Sequence, residues 1–187
     1  SEYGTDIPLA ACGIVMKTNA ILLAVIIGIS QGSQPILGFN YGAEKYSRVR
    51  QTYRYSVTLC TVIATIFFIC FQFFPHQIVG IFGNGSDLYF HFAEKYLRIF
   101  MLMTFANGIQ PMSACFFTSI GKARLGVIMS LTRQVLFLLP LIVIFPVFFG
   151  IDGVMYAGPI SDTSAFVLAV VFARRELGVM KAAEQNA

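Results

Sequence analysis

The residues able to do chemistry in this chain are few, and all of them sit in greasy sequence. Gln31 and Gln34 lie three apart near the end of a long apolar run, so a helix puts both amides on one face, and Pro35 follows directly. Asn107 and Gln110 repeat the spacing, with Pro111 directly behind. Arg133-Gln134 falls early in a later apolar stretch, and Asp162 lies near the middle of the last one, after Gly158-Pro159. Amides donate and accept hydrogen bonds without carrying charge, which suits a path for a solute. An isolated carboxylate in hydrocarbon costs at least a few kcal/mol unless it pairs with a cation, holds a proton or faces water. Asp162 is therefore either a site for a coupled H+ or Na+, or a structural partner for Arg133 or for other polar groups of the stretch that carries Arg133. Arg133 either reaches back to the headgroups or acts inside the bundle.

No constellation supports catalysis. There is no G-x-S-x-G, no H-E-x-x-H, no paired carboxylates and no phosphate loop, so neither an enzyme nor an organic cofactor is expected. Cys12, Cys60, Cys70 and Cys115 lie in apolar stretches without a C-x-x-C pair and read as small buried hydrophobes. His76 and His91 read as wet interfacial residues, and no metal site is predicted.

The elements that must position these groups follow from composition. Of 187 residues 57% are hydrophobic and only 12% charged, where a soluble domain carries about 25% charge; the mean hydropathy is +0.74. Five apolar stretches, approximately residues 7–39, 55–74, 99–120, 127–149 and 154–172, are long enough to cross a bilayer, which takes ~20 helical residues. The runs are continuous rather than alternating, so the fold class is an all-α polytopic membrane protein. Lys45, Arg48, Arg50, Arg54, Lys122, Arg124, Arg174, Arg175 and Lys181 fall at one end of these spans, and only Lys95 and Arg98 at the other, while Lys17 lies inside the first span. The positive-inside rule makes the cation-rich end, with the C-terminus, cytoplasmic. Cations spread so regularly do not form a nucleic-acid patch. The opening SEYGTDIP has no Met, and an odd number of spans starting outside predicts at least one helix ahead of it.

Bends and close contacts are expected at named positions. Gly28 and Gly32 form a G-x-x-x-G that predicts close helix packing. Pro35 and Pro111 predict kinks, Gly38 loosens the end of the first span, and Pro146 is expected to end the fourth. The two Gln-Pro helices run in the same direction and echo each other, GISQGSQPILGFNYGAEK against TFANGIQPMSACFFTSIGKAR.

QGSQPILGFNYGAEKYSRVRQT (31–52), QPMSACFFTSIGKARLGVIMSLTRQVLFLLPL (110–141) and FGIDGVMYAGPISD (149–162) resemble, in order, the later part of multidrug and toxic compound extrusion (MATE) transporters, closest to a bacterial branch. The resemblance implies a twelve-helix transporter of two six-helix lobes in a bacterial inner membrane. This chain would be a partial C-terminal lobe, helices eight to twelve, lacking the N-terminal lobe. It further implies export of small organic cations or amphipathic drugs in exchange for H+ or Na+. Gln34, Asn107, Gln110, Asp162 and Arg133 would lie on the substrate or ion pathway. Carboxylates known in the family lie on helices absent here or on the tenth, which corresponds to the third span; that span has Asn107 and Gln110 but no carboxylate, leaving Asp162 as the candidate in this half. A lipid-linked precursor flippase of the same superfamily and a non-transporting membrane assembly subunit are the alternatives.

Overall fold

The computed structural model describes residues 6–82 and 87–185, and among them every regular element is helical. The first helix, α1 (Asp6–Gly42), has 37 residues and at 1.5 Å per residue is about 55 Å long, well beyond the ~30 Å hydrocarbon core. It ends in a Schellman motif: Lys45 N–H donates to Asn40 O at 2.9 Å and Glu44 N–H to Tyr41 O at 3.0 Å. Glu44 holds the left-handed position (φ 57°) that glycine or asparagine usually takes. Next come α2 (Tyr46–Phe73), the short α3 (Pro75–Phe82) and α4 (Asp87–Phe100). A 3-10 turn over Thr104–Gly108 leads into α5 (Ile109–Ser119), which ends in a second Schellman motif with Gly121 at φ 80°. α6 (Ala123–Leu131) runs through a π-helical segment, Thr132–Leu138, into α7 (Leu139–Phe149), and α8 (Ile151–Gln185) follows.

Among the described residues, four helices are long and apolar enough to cross a membrane: α1, α2, the α6–α7 unit and α8. The fifth candidate is the pair α4 with Thr104–Ser119, bent by 53°. The third span thus starts at Asp87 rather than Ile99 and is broken. The sequence places its bend at Pro111; the irregular backbone lies upstream, in the turns that a proline leaves short of a donor and crowds with its ring. Pro35 sits inside an unbroken α1, exposed together with Gln31, whose carbonyl loses its donor. The fourth span does not stop at Pro146. That residue's carbonyl accepts Gly150 N–H at 3.0 Å, so the helix continues to Gly150, which turns the chain at φ 59°. α2 begins nine residues before Tyr55, and α8 continues past Phe172 to Gln185.

The helical extensions put Arg48, Arg50, Arg54, Arg124, Arg174, Arg175 and Lys181 on helix ends, with Lys45 and Lys122 in the connections just before a helix, and ion pairs tie this end together. Arg50 pairs with Glu184, and Lys122 Nζ meets Glu176 Oε1 at 2.6 Å. The three cationic segments therefore share one end of the bundle. At the other end His76 Nδ1 lies 2.7 Å from Glu94 Oε1.

Packing divides the bundle in two. Toward the end with His76, Leu22, Ile26, Cys60, Ala64, Phe71, Leu97, Phe100, Leu138 and Met155 form one apolar cluster. Toward the cation-rich end, Leu37, Val49, Tyr53, Met112, Phe116, Met129, Ala169 and Ala173 form another. Several buried polar groups fall between the two: Ser30 on α1, Asn107 and Gln110 on the broken span, Arg133 on the π segment, and Asp162 on α8. Large apolar side chains such as Val143, Ile144 and Val147 point outward, as a bundle solvated by lipid requires.

Candidate functional site

The polar layer coincides with the irregular backbone. Gly158, preceding Pro159 in α8, lies so close to the end of α4 that a Cβ there would be 2.9 Å from Phe100 O. Gly108, in the 3-10 turn, faces the backbone of α2, where a Cβ would sit 2.8 Å from Cys60 C. These two contacts seat the broken span between α2 and α8, and Asn107 and Asp162 meet there.

Arg133 Nε donates to Asp162 Oδ1 at 2.5 Å, and Asn107 Nδ2 donates to Asp162 Oδ2 at 3.2 Å. The side chains of Arg133 and Asp162 are only 9% and 2% exposed. A buried ion needs a counter-ion and hydrogen bonds on its remaining lone pairs, and this triad meets both needs for the carboxylate. The wide turn supports it: Leu139 N–H reaches back five residues to Gln134 O instead of four. Such single-turn widenings reset the helix face and recur at functional sites. Nearby, Gln110 Nε2 donates to Met129 O at 2.7 Å, tying α5 to α6.

On the other side of Arg133 a cleft of about 490 Å³ opens between α1, α5 and α6. Ser30, Gln31 and Gln34 line it from α1, Gln110, Cys115 and Thr118 from α5, and Ser130, Arg133 and Gln134 from the next span. Among the described residues no carboxylate lines it, and Arg133 is its one charged side chain. Two close approaches join the helices around it. A Cβ at Gly38 would meet Ser119 O at 3.3 Å, and one at Gly126 would meet Ala114 O at 2.8 Å and Thr118 Oγ1.

Of the residues singled out in the sequence, Gln34, Gln110, Pro111 and Arg133 share the cleft, and Asn107, Arg133 and Asp162 share the triad. Gly28 and Gly32 join neither. Both are exposed and a Cβ on either meets nothing within 4 Å, so the close packing expected of this G-x-x-x-G is not made among the described residues. The close approaches fall instead at Gly38, Gly108, Gly126, Gly153 and Gly158. Ser130 and Thr118 also escaped the sequence reading, since single hydroxyls in apolar helices give no signal.

The MatE family model matches residues 1–151. The chain belongs to the MatE family. Relatives of this MatE chain include the multidrug export protein MepA of Staphylococcus saprophyticus, 25% identical over 183 residues, which cover 96% of this chain and 40% of that protein. An FAD transporter of Shewanella oneidensis is 23% identical over 174 residues, 93% of this chain and 38% of the relative. Among solved structures, the MATE multidrug transporter DinF-BH superposes with a TM-score of 0.83 at 32% identity, over 96% of this chain and 40% of that one. An outward-facing MATE family transporter gives a TM-score of 0.87 at 17% identity, over 96% and 41% respectively, which speaks for the fold. The chain thus spans about 40% of the length of the relatives it matches, and it is a multi-pass membrane protein of that family.

Proposed function

We propose that this chain supplies five helices of the second half of a secondary-active exporter in a bacterial plasma membrane, with its C-terminal end in the cytoplasm. The cleft between α1, α5 and α6 is then part of the path for amphipathic organic compounds, organic cations among them, moved in exchange for H+ or Na+. The observation that carries the reading is the convergence of Gln31, Gln34, Gln110 and Gln134, from three segments of the candidate membrane spans, on one cleft. Uncharged amides there hold a solute by exchangeable hydrogen bonds without fixing its charge. Their helices are broken, π-widened or proline-bearing at that level, as in bundles that rock between conformations. The export proteins among the relatives agree with this. No carboxylate of the described residues faces the cleft, so Asp162, reached through Arg133, is the candidate for ion coupling in this half.

A second reading, a flippase for lipid-linked precursors, is favoured by one feature: the charge that the described residues bring to the cleft is the cation Arg133. Reconstitution of the intact protein decides between them. Proteoliposomes with an imposed proton gradient, and separately a sodium gradient, should move the cationic dye rhodamine 6G counter to one of the two ions. Asp162→Asn should change the pH or sodium dependence of that movement. Dye that follows neither gradient sinks the exporter reading.

A further inference from the structure

We propose that the free edge of Arg133 is a docking point for an oxyanion, a carboxylate or phosphate, on compounds that enter the cleft. The inference rests on the reading of the cleft as a solute path, and it names a chemical class that path takes. Arg133 is 8% exposed overall, yet it lines the cleft. Among the described residues its hydrogen bonding is confined to Nε, which holds Asp162 Oδ1. The terminal Nη nitrogens have no partner among those residues, and they are not among the side-chain atoms sealed from solvent without one. A guanidinium whose inner nitrogen is anchored and whose outer pair is open presents a rigid fork of N–H donors.

That fork matches the two oxygens of a carboxylate or phosphate, which it can bind bidentately. The described residues around it offer no competing charge, because Ser30, Gln31, Gln34, Gln110, Ser130 and Gln134 are uncharged. Asp162 does not occupy the edge either; it lies on the Nε side, with its second oxygen held by Asn107. An oxyanion in the cleft therefore sits closer to the guanidinium than to Asp162, and the net attraction favours binding. The Asp162 contact pre-sets the rotamer, so little side-chain freedom is lost when a ligand arrives.

The test compares rhodamine 6G, an ester, with its free acid, binding to the intact protein in phosphatidylcholine nanodiscs by fluorescence anisotropy. Arg133→Lys keeps a cation beside Asp162 but removes the fork; it should weaken the acid about tenfold and change the ester by less than about twofold. Asp162→Asn, which removes the opposing charge, should tighten the acid. Should either variant fail to fold, phenylglyoxal labelling of Arg133 in the native protein, read by mass spectrometry, should be slowed by the acid and not by the ester. Adding phosphatidylglycerol separates the sources of the oxyanion: displacement of the acid assigns the fork to lipid headgroups, and no displacement assigns it to solutes, both consistent with docking. Equal losses for acid and ester in Arg133→Lys, or no protection of Arg133 by the acid, overturns the docking site alone. Failure of the native protein to bind either dye overturns the solute path and the docking site with it.

Discussion

The Arg133–Asp162 pair makes an asymmetric prediction about stability. Arg133→Gln leaves a carboxylate that is 2% exposed, with Asn107 as its remaining partner, and stranding a buried charge in this way costs about 3–5 kcal/mol. Asp162→Asn strands a guanidinium instead, but the Nη edge of that group faces the cleft and keeps access to water, so the cost is about 1–3 kcal/mol. In the double variant two neutral amides face each other and can share a hydrogen bond. Its destabilisation should fall about 2–3 kcal/mol short of the sum of the singles. Reversible unfolding of the intact protein in mixed micelles, followed by far-UV circular dichroism, supplies all three numbers. Additivity within about 0.5 kcal/mol would refute the pair as a coupled buried unit. An Asp162→Asn cost exceeding that of Arg133→Gln would refute the claim that Arg133 opens to the cleft.

Three further outcomes follow from the backbone and its bends. Gly108→Ala and Gly126→Ala drive a Cβ to 2.8 Å from fixed backbone atoms of Cys60 and Ala114 and should each destabilise by about 1–3 kcal/mol in the same unfolding assay. Glu44→Gly relieves the left-handed strain at φ 57° and should stabilise by about 1 kcal/mol, read as a higher unfolding midpoint. Pro35→Ala restores the donor missing for the Gln31 carbonyl; if α1 bends during transport, it should lower dye export at unchanged membrane abundance, and unaltered export would remove the hinge role.

How much of this was legible in the sequence depends on the type of signal. The spans were visible because hydropathy is summed over some twenty residues, and single substitutions hardly move it. Their ends were not, because amphipathic turns such as Tyr46–Arg54 and Arg174–Gln185 remain helical in water once Arg50 and Lys122 find Glu184 and Glu176. The polar residues Gln34, Asn107, Gln110, Arg133 and Asp162 stood out because each costs free energy in an apolar run. Which of them meet was beyond periodicity: Asn107 and Asp162 are 55 positions apart, and their contact depends on a 3-10 turn upstream of Pro111. The proline gave warning of a bend but placed it a turn too late. The G-x-x-x-G motif pointed to Gly28 and Gly32, whereas among the described residues the close approaches lie at Gly38, Gly108, Gly126, Gly153 and Gly158. A motif records small residues on one face, not whether a helix lies opposite.

The central claim is that solutes pass through the cleft lined by Gln34, Gln110, Arg133 and Gln134. Its most direct test is a single cysteine at the exposed Gln134, introduced into the intact protein with Cys12, Cys60, Cys70 and Cys115 replaced by serine. A membrane-impermeant maleimide should label this cysteine, and saturating rhodamine 6G should slow the labelling. A labelling rate indifferent to the dye, in protein that still binds it, would place the solute path elsewhere and contradict the account.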